Sequence, residues 1–75
     1  RPDIVIDDIA IEVKGPTGTS ELQTIADKII RYQLYYKKIF IVLFTITASP
    51  KYLEDWKEGF MRIKEIADKI EIIQK

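Results

Sequence analysis

Two short apolar alternations, separated by a pair of aspartates, begin the chain and constrain its fold more than any other feature. Isoleucine and valine recur at almost every second position on both sides of Asp7-Asp8, which is the period of a half-buried β-strand. Asp7-Asp8 is the only plausible two-residue turn between these strands, so the first fourteen residues are predicted to form a β-hairpin. The resulting register places Asp3 opposite Glu12.

This register brings two carboxylates together on one face of the hairpin, and Lys14 follows on the same face. Directly opposed like charges destabilise a strand pair, so a group that separates Asp3 from Glu12 is expected. A divalent cation is the obvious candidate, because Mg²⁺ binds through oxygen ligands such as carboxylates. The alternative is a solvated polar face on which Lys14 neutralises Glu12.

The composition limits the chemistry that is possible. The chain has 75 residues, enough for one small domain over 1–75, and it contains neither cysteine nor histidine. Disulfides, thiolate or imidazole metal sites and Ser-His-Asp triads are therefore excluded. Twelve basic and twelve acidic side chains cancel, so only local basic patches could attract nucleic acid. An enzyme of this composition would use carboxylates, lysine and an oxygen-liganded metal.

The segment after the hairpin carries the signals of a first helix. Ser20 with Gln23 three residues later fits a capping box, which predicts a helix from Glu21 to Tyr36. Its predicted apolar stripe consists of Leu22, Ile25, Ala26, Ile29, Tyr32 and Tyr36.

A strand, a second helix and a closing strand are predicted next. Residues 38–47 are almost continuously apolar, which favours a strand buried on both faces of a parallel sheet. Ser49-Pro50 is typical of a helix start, and a short strand is predicted over residues 71–73. The second helix has an apolar stripe of Leu53, Trp56, Phe60, Ile63, Ile66, Ala67 and Ile70.

The predicted order is therefore β-β-α-β-α-β, an α/β fold with a mixed sheet. The first strand is expected to be antiparallel to the second, and the others parallel through right-handed crossovers. With the strands in sequential order, both helices fall on one face of the sheet. The other face of the third strand is also apolar and needs a cover. We expect either self-association as a homodimer or missing segments of a longer chain.

The motif formed by Pro2-Asp3, an eight-residue gap and Glu12-Val13-Lys14 resembles the PD-(D/E)XK nuclease superfamily. This superfamily includes restriction endonucleases, archaeal Holliday-junction resolvases and RecB-type nuclease domains. The resemblance continues through the first helix and the following strand, roughly two thirds of the chain. It implies a restriction-endonuclease-like core that lacks the upstream helix and strand.

The resemblance also implies a role for each residue of the motif. Asp3 and Glu12 would bind Mg²⁺, for which Mn²⁺ can substitute, and Val13 would offer its backbone carbonyl to the metal. Lys14 would act on the attacking water. Cleavage of DNA in such nucleases leaves a 5′-phosphate and a 3′-hydroxyl.

A second D/E-x-K match, Asp55-Trp56-Lys57, has a different interpretation. It lies in a predicted helix, where residues two apart point about 200° away from each other around the axis. Glu12 and Lys14 lie on a predicted strand, where residues two apart share a face. Only the first match can therefore direct both charges at one site.

The first helix and the loop after it supply candidate DNA-binding residues. In RecB-like relatives this helix often carries a Gln-xxx-Tyr pair, and here Lys28 takes the Gln position and Tyr32 the Tyr position. Lys28 could contact a phosphate, and Arg31, Lys37 and Lys38 could extend a phosphate-binding track. The alternatives are ordinary surface charge for the three basic residues and core packing for Tyr32.

Three functions remain open from the sequence. The first is a metal-dependent DNA endonuclease or exonuclease with DNA as partner. The second is a catalytically inactive nuclease-like module for binding or assembly. The third is an unrelated small α/β interaction domain whose acidic residues are solvated. No apolar run is long enough to span a bilayer, so the sequence predicts no membrane partner and a cytoplasmic location.

Overall fold

The computed structural model describes residues 2–75 as a four-stranded mixed sheet with three helices. The elements are β1 (Ile4–Ile6), β2 (Ile9–Lys14), α1 (Thr19–Tyr32), β3 (Lys38–Leu43), α2 (Pro50–Met61), α3 (Lys64–Ala67) and β4 (Ile70–Gln74). The strand order is β1-β2-β3-β4, with β1 antiparallel to β2 and the other pairs parallel. The α/β class and the mixed sheet are confirmed, with α3 as an additional element.

The β1–β2 hairpin has the predicted register. Val5 pairs with Ala10 and Ile6 with Ile9, so the two aspartates form the turn. Asp7 takes a left-handed backbone conformation with φ 53°, which a tight turn requires and which aspartate tolerates better than most residues. The local sequence thus sets both the turn and the pairing.

One face of the sheet forms the core beneath the helices. In β3 the residues Ile39, Ile41 and Leu43 are fully buried, while the intervening Phe40 and Val42 are partly exposed. Trp56 Nε1 in α2 donates a hydrogen bond to the Leu22 carbonyl of α1 at 2.9 Å, which ties the two helices together. The helices contribute Leu22, Ile25, Ile29, Tyr32, Leu53 and Phe60 to this core.

The opposite face of the sheet is apolar but carries no helix from residues 2–75. Its exposed members are Ile4, Ile6, Val13 and Phe44, and its partly buried members are Ile9, Ile11, Phe40, Val42 and Ile73. Within residues 2–75 only one face of β3 is covered, so burial of its other face stays a prediction. Self-association and a further segment of the chain both stay predictions. None of the described helices combines the length and the apolar character needed to cross a lipid bilayer.

The start of α1 differs from the predicted Ser20–Gln23 capping box. The helix begins at Thr19 with Gly18 as N-cap, and Glu21 accepts a hydrogen bond from the Gly18 N–H at 2.9 Å. Thr17 fixes this earlier start, because its hydroxyl donates to the carbonyls of Lys14 and Phe44. The helix ends at Tyr32, and the Tyr36 ring packs edge-on against Tyr32 beyond it.

The second helix is shorter than its apolar stripe predicts. It ends at Met61, and Ile63 is extended with φ −97° and ψ 104° and lies exposed. Ile70, predicted as the last residue of the stripe, instead starts β4 and pairs with Ile39. The chain has to turn back to add β4 parallel to β3, and the break at Ile63 allows that turn.

Candidate metal and phosphate site

Asp3 and Glu12 lie next to each other, as the hairpin register predicts, and Asp3 is the residue just before β1. The Asp3 backbone N–H donates to Glu12 Oε1 at 3.3 Å, and the Val13 backbone N–H donates to Asp3 Oδ2 at 2.8 Å. The two hydrogen bonds hold the carboxylates on neighbouring strands, where the hairpin register places them.

The Val13 carbonyl also faces this site. The N–H and C=O of one residue in an extended strand point to the same flank, and the Val13 N–H points to Asp3. Continuing the hairpin register places Pro2 opposite Val13, and proline has no N–H to donate to that carbonyl. Val13 thus presents the third oxygen of the set that the resemblance to PD-(D/E)XK nucleases implies for a metal.

Glu12 is buried under α1 and is paired with a cation from that helix. Its side chain is only 3% exposed, and its Oε2 accepts a hydrogen bond from Lys28 Nζ at 2.6 Å. The sequence predicts a cation between Glu12 and Asp3, but it does not identify Lys28 as the group that supplies the charge. One signal was available, because Lys28 follows Ile25 by three residues and precedes Tyr32 by four, along the apolar stripe of α1.

The surroundings of Lys28 favour its charged form. The hydrogen bond to Glu12 raises the pKa of Lys28, and the attraction of both carboxylates adds to that effect, which outweighs burial. Burial raises the pKa of Tyr32 as well, so its phenol stays neutral at physiological pH. Lys28 therefore neutralises one of the two carboxylate charges at neutral pH.

Lys14 lies on the same face of β2 as Glu12, one pleat further along. Its backbone is fixed, because its carbonyl accepts hydrogen bonds from the Phe44 N–H at 2.8 Å and the Thr17 hydroxyl at 2.9 Å. Gly15 then passes so close to β3 that an added Cβ would lie 2.7 Å from Phe44 Cβ. No carboxylate of residues 2–75 forms an ion pair with Lys14, so its ammonium is available at this edge.

The positive charge of Lys14 also acts on Glu21 at the start of α1. A hydrogen bond from the Gly18 N–H lowers the pKa of Glu21, and the positive charge of Lys14 contributes to that shift. Lys14 is therefore near enough to the N-terminal turn of α1 for its positive charge to act there.

The remaining candidate DNA-binding residues are divided between two places. Arg31 is exposed on α1, one turn beyond Lys28, and Tyr32 is buried in the core. Lys37 and Lys38 lie at the other end of the sheet, because Lys38 pairs with Ile9 while Lys14 pairs with Leu43. Five residues of strand separate the two ends by about 17 Å.

The two lysines at the far end of the sheet also have acidic partners. Lys37 pairs with Asp8 and Lys38 with Glu71, each at 3.9 Å. The structure therefore places Arg31 one turn along α1 from Lys28 and leaves Lys37 and Lys38 at the opposite end of the sheet from Lys14. DNA contact stays a prediction for all of these residues.

The oxygens of Asp3, Glu12 and Val13 are of the type that a hard divalent cation prefers, and Lys28 Nζ lies 2.6 Å from Glu12 Oε2. Residues 2–75 contain no group of three or more acidic side chains placed to hold a metal, so a cation at this site would have only two carboxylates and the Val13 carbonyl as protein ligands. Mg²⁺ commonly binds through one or two carboxylates and keeps several waters, which this set allows. A groove of about 390 Å³ lies elsewhere, between α2 and β4.

Comparisons with protein-family models, with curated proteins and with solved structures find no match for this chain. The chemistry of Asp3, Glu12, Lys14 and Lys28 therefore carries the functional inference.

Proposed function

We propose that this chain is a metal-dependent deoxyribonuclease domain that hydrolyses phosphodiester bonds. The observation that carries the proposal is the junction of Asp3 and Glu12, where one carboxylate is oriented by the Val13 N–H and the other by the Asp3 N–H. Lys14 projects from the same face of β2 as Glu12. The choice of DNA as substrate rests on the resemblance of this motif to PD-(D/E)XK nucleases.

Each residue of the motif has a distinct part in the proposed reaction. Asp3, Glu12 and the Val13 carbonyl would hold Mg²⁺, which when bound polarises the phosphate and lowers the pKa of a water. Lys14 orients the attacking water and stabilises the negative charge that develops on the phosphate oxygens. The water oxygen bonds to phosphorus and releases a proton to solvent, the bond from phosphorus to the 3′ oxygen breaks, and that oxygen takes up a proton from solvent water.

One observation favours a second candidate, a nuclease-like module that binds or assembles without catalysis. Lys28 already neutralises Glu12 and replaces the glutamine that RecB-like relatives often carry on this helix. A chain that keeps this ion pair permanently would retain the fold but would not bind a metal at Glu12.

Nicking of a supercoiled plasmid separates the two candidates. We expect the wild type to nick the plasmid with Mg²⁺ or Mn²⁺ and to stop when EDTA is added. Asp3→Asn removes one anionic ligand with little change in shape, and we expect it to lower the rate at least about 100-fold.

The matched control is Asp55→Asn, in the helical D/E-x-K match, where Asp55 pairs with Lys51 on the surface. We expect its rate to equal that of the wild type after the same purification. A wild type that leaves both the plasmid and a linear duplex intact with both metals would contradict the proposal. Equal rates for Asp3→Asn and the wild type would contradict it as well.

A further inference from the structure

The Lys28 ammonium lies where a cation attracted by both carboxylates would be expected. It is 2.6 Å from Glu12 Oε2, and the negative charge of Asp3 also contributes to its environment. Glu12 Oε1 accepts from the Asp3 N–H, so both oxygens of the buried carboxylate already have a partner. A metal that binds Glu12 has to share or replace one of these contacts.

Sharing is unfavourable at this site. An ammonium and a divalent ion in contact with one carboxylate repel each other strongly, because the surroundings of a buried group screen charges less than water does. Leaving Glu12 without a cation is also costly, because a buried carboxylate needs a compensating charge. Replacement of one cation by the other avoids both costs.

Lys28 has a route out of the site. Its side chain is 28% exposed, whereas that of Glu12 is 3% exposed, so the ammonium reaches water by rotating its flexible stem away from β2. Glu12 lies on a paired strand beneath α1 and has no comparable freedom. The mobile partner of the pair is therefore the lysine.

We propose that Lys28 is an exchangeable internal counter-ion, so that a divalent cation binds Glu12 only after the ammonium has left Oε2. The inference rests on the proposed function, because it takes Asp3 and Glu12 as the metal ligands. Lys28 is then a positioning residue that holds Glu12 in place in the metal-free chain and competes with the metal for it.

The test is Mn²⁺ binding, measured by calorimetry without any nucleic acid on the wild type, Lys28→Gln and Lys28→Arg. Lys28→Gln keeps a hydrogen-bond donor for Glu12 but removes the charge, and we expect it to bind Mn²⁺ at least about 10-fold more tightly. Lys28→Arg keeps the charge, and we expect it to bind no more tightly than the wild type.

Two further measurements complete the design. Adding Asp3→Asn to Lys28→Gln should remove the gain in affinity if Mn²⁺ binds at the carboxylate pair. Mn²⁺ should also raise the melting temperature of Lys28→Gln by more than that of the wild type, and this readout is independent of activity.

The possible failures are distinguishable. Equal Mn²⁺ affinity of the wild type and Lys28→Gln would overturn the exchange and leave the proposed function standing. A folded Lys28→Gln that binds no Mn²⁺ at millimolar concentration would overturn the metal site, and with it both the proposed function and the exchange.

Discussion

Replacing Lys14 with methionine is expected to slow phosphodiester cleavage by about 10²–10³-fold, the range for loss of one group that stabilises the negative charge developing in the transition state. Mn²⁺ binding should be no weaker than in the wild type, because Lys14 supplies no ligand and the change removes a nearby positive charge. The methionine side chain has a similar length and apolar stem, so the strand and its register should persist.

This separation of cleavage from metal binding is what distinguishes Lys14 from its neighbours. It is checked by comparing single-turnover cleavage rates with Mn²⁺ titrations of the same protein samples. Lys51→Met serves as the control, because Lys51 is an exposed lysine on α2 that pairs only with Asp55 on the surface. A Lys14→Met variant that cleaves at the wild-type rate, or that loses Mn²⁺ binding together with cleavage, would contradict the assigned role.

The second large effect is an unequal response of the two partners in the Glu12–Lys28 ion pair. We expect Lys28→Met to lower the free energy of unfolding by about 3 kcal/mol at neutral pH, because it leaves a buried carboxylate unpaired. We expect Glu12→Gln to cost about 1 kcal/mol or less, because the amide still accepts from the Asp3 N–H and Lys28 can reach water.

Urea unfolding followed by Trp56 fluorescence measures both values, and the double variant completes a mutant cycle. The double variant should be more stable than Lys28→Met alone, because it no longer contains the unpaired buried charge of Glu12. Since the pKa of Lys28 is raised in the folded chain, its contribution should persist up to the ordinary lysine pKa and fall as the pH rises through the raised value. Equal, small losses for the two single variants would show that Glu12 is hydrated rather than buried.

The hairpin and its register could be predicted from sequence because their determinants are local. The alternation of Ile4, Ile6, Ile9 and Ile11 and the two-residue turn between them leave one register in which the apolar residues share a face. The juxtaposition of Asp3 with Glu12 follows from that register without any tertiary information.

The boundaries of the helices depend on contacts that the local sequence does not contain. α1 starts before the predicted capping box, where the Gly18 N–H donates to Glu21 and the Thr17 hydroxyl donates to the Phe44 carbonyl, 27 residues away. α2 stops at Met61 although the apolar spacing continues, because the chain has to return to pair Ile70 with Ile39. Tertiary pairing overrides helical periodicity at the end of α2.

The pairing of Lys28 with Glu12 was beyond local prediction for the same reason. The contact depends on how far α1 runs back across β2, and the position of Gly18 as N-cap sets that distance. The residue types of the motif could be matched to metal chemistry from the sequence. Which cation pairs with Glu12 depends on where α1 lies relative to β2.

Crystals of the chain soaked in Mn²⁺ and measured for its anomalous scattering test the central claim most directly. A peak within about 2.5 Å of carboxylate oxygens from both Asp3 and Glu12 is the result we expect, with Lys28 Nζ withdrawn from Glu12 Oε2. A map with no peak at this pair after a soak at saturating Mn²⁺ concentration, and with Lys28 still bound to Glu12, would contradict the claim that these carboxylates form a metal site.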